Sequence, residues 1–150
     1  MFKRDRILTL NIGATRLTLA EFRALKAGGL EMVDYGIAPL EMSPDEELDA
    51  SPYIVAALRD VMRSKGIRPG PVAIVISSQL AFTTFVKLPP VQKDKIAQIV
   101  RYEAQQNIPS IEETIWDYQL IAGAEGEVAA MIVAAKQDLV KRITDCVEAA

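Results

Sequence analysis

The stretch LTLNIGATRLTLAEF, residues 8–22, holds the residues best placed to do chemistry. Two alternating apolar and polar runs meet at Gly13, and a glycine between strands lets backbone N–H groups come close to a phosphate. Thr15 adds a hydroxyl donor. A loop that holds magnesium and a triphosphate also needs a carboxylate for the metal's water shell and a cation to draw charge from the phosphates. The positions that could supply them are Asn11 and Thr18, both neutral, and Ala14 stands in the turn. A lone glycine between strands is also an ordinary hairpin device. The residues by themselves leave a phosphate turn and a plain hairpin both open.

Composition narrows the remaining chemistry. The 150 residues include no histidine and one cysteine, Cys146, which removes the usual hydrolase triads, the common zinc ligand sets and an internal disulfide. Catalysis would have to rest on carboxylates, lysines, hydroxyls or an oxygen-bound metal, so phosphoryl transfer is the enzyme class to test. The other carboxylates do not complete such a site. Asp45, Glu46 and Glu47 sit where a helix begins and suit its dipole. Glu112 and Glu113 follow Pro109 in a polar connection, and Glu21 lies on a strand and is expected to be exposed. Lys87 ends a strand before two prolines and suits an edge that resists pairing. No catalytic residue and no metal site is assigned.

Half the residues are hydrophobic and a quarter charged, the balance of an ordinary globular chain long enough for a real core. A net charge of −3 gives no reason to expect nucleic acid. No run approaches the roughly 18 apolar residues of a membrane span, and the start lacks a signal peptide's apolar stretch. A cytoplasmic protein is expected.

The pattern along the chain is mixed α/β. RILTLNI, RLTLAEF and GLEMVDYGIAPL alternate as three strands with short turns, an antiparallel meander. SPDEE at 43–47 offers a capping pattern, and Ser51-Pro52 repeats the helix-start signal. Ile54, Ala57, Leu58, Val61 and Met62 then recur at helical spacing until Gly66. PVAIVISS reads as a strand buried on both faces. Beyond Ser78 come a strand (LAFTTFVKL), a helix opened by Pro89-Pro90 and stopped by Pro109, two strands joined by a Gly-rich turn (IWDYQLIAG and EVAAMIVAA), and an amphipathic closing helix through Leu139, Val140, Ile143 and Val147. This predicts a ribonuclease H-like half domain over 1–78 and a strand-helix-strand-strand module with its closing helix over 79–150.

The stretch VRYEAQQNIPSIEETIWDYQL concentrates Arg101, Tyr102, Glu103, Trp116 and Tyr118, large amphipathic side chains that suit an interface. Packing of the small lobe explains the aromatics equally well.

These segments resemble a known family. VKLPPVQKDKIAQIVRYEAQQNIPSIEETIWDYQLI closely resembles the part of PilM, the actin-like cytoplasmic family of type IV pilus assembly, in which a helix ending E-A-x-x-x-I-P runs into a D-Y-Q strand. NIGATRLTLAEF resembles that family's first phosphate motif, D-I-G-S-S-x-x-K, with Asn11, Ala14 and Thr18 where the motif has Asp, Ser and Lys. The resemblance covers the chain in order and implies an actin-like fold with an inserted module, as in the related cell-division protein FtsA. It implies a scaffold that binds the cytoplasmic amino-terminal tail of the inner-membrane protein PilN, with Leu88, Ile96, Val100, Tyr102 and Trp116 as groove walls. It also implies that Asn11, Gly13, Thr15 and Thr18 form a degenerate phosphate turn. No cofactor is then expected from this chain, and ATP with magnesium only in a longer natural form carrying a second actin-like half. The rival readings are an actin-like ATPase that drives assembly and a GspL-like cytoplasmic domain of type II secretion. The scaffold reading places the chain in the cytoplasm, peripheral to the inner membrane, whereas a GspL-like domain is followed by a membrane span.

Overall fold

A computed structural model describes residues 5–40, 50–122 and 127–150. The chain divides into two compact units, one built from residues 1–77 with 142–150 and the other from 78–141. The SPDEE pattern and the Gly-rich turn at 123–126 lie outside the described residues.

In the first unit β1 (Arg6–Ile12), β2 (Arg16–Ala24) and β3 (Leu30–Pro39) form the expected meander, and β4 (Val72–Ile76) pairs with β1 in parallel, giving the order β3-β2-β1-β4. The period of two sends Leu8, Leu10, Ile12, Leu17 and Leu19 to one face, where they are buried. Helix α1 (Ser51–Lys65) covers that face with Ile54, Ala57, Leu58 and Val61. It starts at the second of the two sequence signals, with a proline in its first turn, and ends at Gly66, whose φ of 66° is a left-handed cap. Its N-cap residue, Ala50, gives no side-chain cap. Gly36 on β3 has a different role, because a Cβ there would stand 2.6 Å from Val61 Cγ1. The glycine lets the helix approach the sheet.

β4 is not buried on both faces: its residues alternate, and Val75 is 54% exposed. Only β1 lies beside it among the described residues, so the apolar run VAIVI has a covered face and an open one.

Helix α3 (Gln137–Ala149) divides between the units, where the sequence pattern put it wholly in the second. Its residues from Arg142 belong with the first. There Ile143 and Cys146 are buried, the Cys146 thiol lies 3.8 Å from the Ser51 carbonyl, and Arg59 Nη2 donates to the Ala149 carbonyl at 2.7 Å.

Arg6 joins three segments of this unit. Its Nε and Nη2 donate to the two Glu21 oxygens at 2.7 and 3.2 Å, while Nη2 and Nη1 reach the Arg68 and Pro69 carbonyls at 2.7 and 3.2 Å. The hydrogen bonds from Arg6 hold the Glu21 carboxyl below its ordinary pKa, against a smaller opposing effect of burial. A carboxylate depressed on folding stabilises the fold above its unfolded pKa and ceases to as pH falls through the folded value. Thermal melts of wild type and Arg6→Gln should therefore differ by a constant amount at neutral pH, and the gap should shrink on acidification below the usual carboxylate range. A gap independent of pH would assign the effect of Arg6 to its carbonyl contacts alone.

The second unit is an antiparallel sheet of β5 (Ala81–Leu88), β7 (Val128–Lys136) and β6 (Thr114–Ala122), with β7 central. Helix α2 (Lys93–Asn107) packs Val100 and Ala104, with Ile108 at its end, against Ala130, Ile132 and Ala134 of β7. The alternate small residues of β7 give the helix room.

Candidate functional site

The turn at Gly13 is closed within the hairpin. The Gly13 N–H donates to the Arg16 carbonyl at 3.0 Å, and a Cβ at Gly13 would meet that same oxygen at 3.2 Å. The glycine is not in the left-handed region, so it is used for close approach. The Leu40 N–H donates to the Thr15 carbonyl at 2.9 Å, which ties the turn to the end of β3. Ala14, Thr15 and Arg16 are exposed.

Asn11 and Thr18 are brought together, as direct cross-strand partners beside the turn. They project from the sheet face opposite α1, since Leu10, Leu19 and Gly36 occupy the face that α1 covers. Thr18 pairs on its other side with Ile37 and Asn11 with Val75, and Ile37 and Val75 are both more than half exposed. The row is thus a neutral amide and a hydroxyl between two aliphatic side chains. It offers hydrogen bonds and no charge, which does not fit a magnesium-bound triphosphate. Arg16 is the one cation in the turn itself. Among the described residues, no three Asp, Glu, His or Cys side chains gather in a metal-binding group.

The five candidate groove residues separate into three places in the second unit. Leu88 and Ile96 line one cavity of about 330 Å³, together with Pro89, Pro90, Val91 and Val128. At its rim Lys87 Nζ lies 3.4 Å from the Glu127 carboxylate, both side chains largely exposed. Val100 has no exposed surface and lies inside the core, while Trp116, like Leu88 and Ile96, is partly buried against it. Tyr102 is 60% exposed and, two residues along a helix from Val100, faces away from that core. The sequence did not single out Val91, Glu127 or Val128. The cavity depends on Leu88 lying opposite Val128, a pairing between residues 40 apart in number, and no local signal announces it.

Four antiparallel ladders and one parallel ladder, a covering helix and a strand-helix-strand-strand unit define a mixed α/β protein with two sheets. The sequence matches the family of type IV pilus assembly protein PilM over residues 9–150, and the chain belongs to that family. Among solved structures it is similar to the PilM-PilN type IV pilus biogenesis complex, with a TM-score of 0.75 and 21% identity over 96% of this chain and 44% of that one. It is also similar to the cytoplasmic domain of EpsL, an inner membrane component of the type II secretion system of Vibrio cholerae, with a TM-score of 0.58 and 12% identity over 96% of this chain and 52% of that one. The chain therefore spans about half the length of each. No curated protein sequence matches it.

Proposed function

We propose that this chain is a scaffold of type IV pilus assembly that binds the cytoplasmic amino-terminal tail of a PilN-like membrane protein. Family membership over residues 9–150 carries the reading, and the likeness to a complex of PilM with PilN supports it. Among the described residues no helix is long and apolar enough to cross a membrane. The scaffold is then held at the inner membrane by its partner.

Of the groove residues named from the resemblance, Leu88 and Ile96 are the ones with both apolar surface and a concavity to offer. A buried aliphatic anchor of the tail fits a space of that size, and such anchors carry most of the energy of peptide recognition. Val100 keeps the walls in place, and Tyr102 would contact the tail only from another side of α2.

The reading is tested by isothermal titration of a synthetic peptide of the PilN-like protein's tail into the intact chain. Binding is expected, and Ile96→Asp should weaken it at least tenfold while an unchanged circular dichroism spectrum shows the fold is kept. Undiminished binding by a folded Ile96→Asp variant would remove the cavity from the interface, and a peptide that fails to bind wild type would remove the scaffold reading.

A further inference from the structure

Among the described residues the two sheets have four edge strands, β3 and β4 in the first and β5 and β6 in the second. Two of them carry the same device, which occupies one outward donor on each. On β3 Asp34 Oδ1 accepts the Tyr35 N–H at 2.7 Å, and on β6 Asp117 Oδ1 accepts the Tyr118 N–H at 2.8 Å. Each carboxylate takes up a donor that an incoming strand would use; Asp117 also adds a charge along its edge, and Asp34 is paired with Lys65 Nζ at 3.4 Å. β4 and β5 contain no carboxylate. β5 is the longer, with eight residues against five, and its one charge, Lys87, is paired with Glu127.

The ladder determines which backbone groups of β5 are free. Tyr118 turns its N–H to Asp117 and so away from β7. Successive residues of an antiparallel pair alternate in direction, so Ile132, which lies opposite Tyr118, turns toward β5 and bonds with its partner there, Thr84. Thr83, Phe85 and Lys87 are left with N–H and C=O pointing outward, and no described strand lies beside them. The strand ends at Leu88, on the wall of the 330 Å³ cavity.

We propose that the β5 edge takes an extended peptide as an added strand, with one large aliphatic side chain of that peptide seated in the cavity. Only an extended backbone presents acceptors and donors at the two-residue spacing of this row; a helix, a nucleotide or an acyl chain would leave the row unpaired. The proposal rests on the scaffold reading for the source of the peptide. The edge and the cavity supply its mode of binding.

Amide exchange of the intact chain, with and without the synthetic tail peptide used above, tests it. The amides of Thr83, Phe85 and Lys87 should exchange at least tenfold more slowly when the peptide is bound, while those of Phe82, Thr84 and Val86, already bonded to β7, stay as they were. Phe85→Pro removes one outward donor without touching a bond to β7, a substitution that edge strands accept. It should weaken binding at least ten times more than Phe85→Ala does. Val91→Glu, which puts a charge into the cavity at a residue 36% exposed, should weaken it at least tenfold. A peptide that binds without protecting the three amides, or that binds Phe85→Pro as well as Phe85→Ala, overturns strand addition and leaves the scaffold reading standing. A peptide that does not bind at all overturns both. Protection of the three amides in the peptide-free chain that grows with protein concentration would assign the edge to a second copy and also overturn the proposal.

Discussion

Val100→Asp should unfold the second unit. The residue has no exposed surface and is enclosed by Ala104, Ile108, Ala130, Ile132 and Ala134, none of which can pair with a carboxylate. Burying an unpaired charge costs on the order of 4 kcal/mol or more before the group takes up a proton or the core opens. A small domain has only about 5 to 15 kcal/mol of stability in all. Val100→Ala removes the same side chain without adding charge and should cost about 2 kcal/mol, chiefly through lost packing. Thermal melts followed by circular dichroism distinguish the two: Val100→Ala should keep a cooperative transition at a lower temperature, and Val100→Asp should lose the part of the transition that belongs to this unit. If Val100→Asp melted like wild type, Val100 would not be a core residue. The comparison matters for function, because a loss of partner binding in Val100→Asp would report on folding and could not locate a groove.

How far the sequence could be read depends on the range of the interactions involved. The strands of the meander, the Gly66 stop, and the helix carrying Ile96, Ile99, Val100 and Ala104 were legible because their signals are periodic or local. Local reading failed where a long-range neighbour decides the outcome. The run VAIVI looks the same whether one face or two are covered, and the order of the sheet left Val75 open. Gly36 reads as a weak point in a strand until α1 is seen against it. Leu139 to Val147 form one amphipathic stripe, and nothing within it shows that residues from Arg142 onward pack with Ser51 and Arg59. For the candidate site, Leu88 and Ile96 line a cavity, Val100 shares the helical stripe of Ile96 but is fully buried, and Tyr102 faces away from that stripe. Helical spacing alone gives the stripe of a helix, and which part of the stripe stays accessible depends on the strands that meet it.

The Asn11–Thr18 pair carries the sharpest expectation about chemistry. A magnesium-bound triphosphate is held by charge-assisted contacts, each worth about 1.5 to 3 kcal/mol. Replacing the carboxylate and the ammonium of the phosphate motif by an amide and a hydroxyl should therefore cost about 3 to 6 kcal/mol, roughly two to four powers of ten in affinity. Calorimetric titration of MgATP into the longest natural form of the chain should show no binding in the micromolar range. Asn11→Asp together with Thr18→Lys restores both charges on neighbouring strands whose pairing is already set, and should bring binding back toward that range if the turn can open to a ligand. Its present geometry makes this a demanding condition, since the Gly13 N–H is committed to the Arg16 carbonyl. Micromolar binding by the wild-type protein would overturn the expectation and direct attention to Arg16, the exposed cation of the turn, whose substitution by alanine should then abolish it. Failure of both forms to bind would mean that closure of the hairpin, and not the missing charges alone, separates this turn from a working phosphate loop.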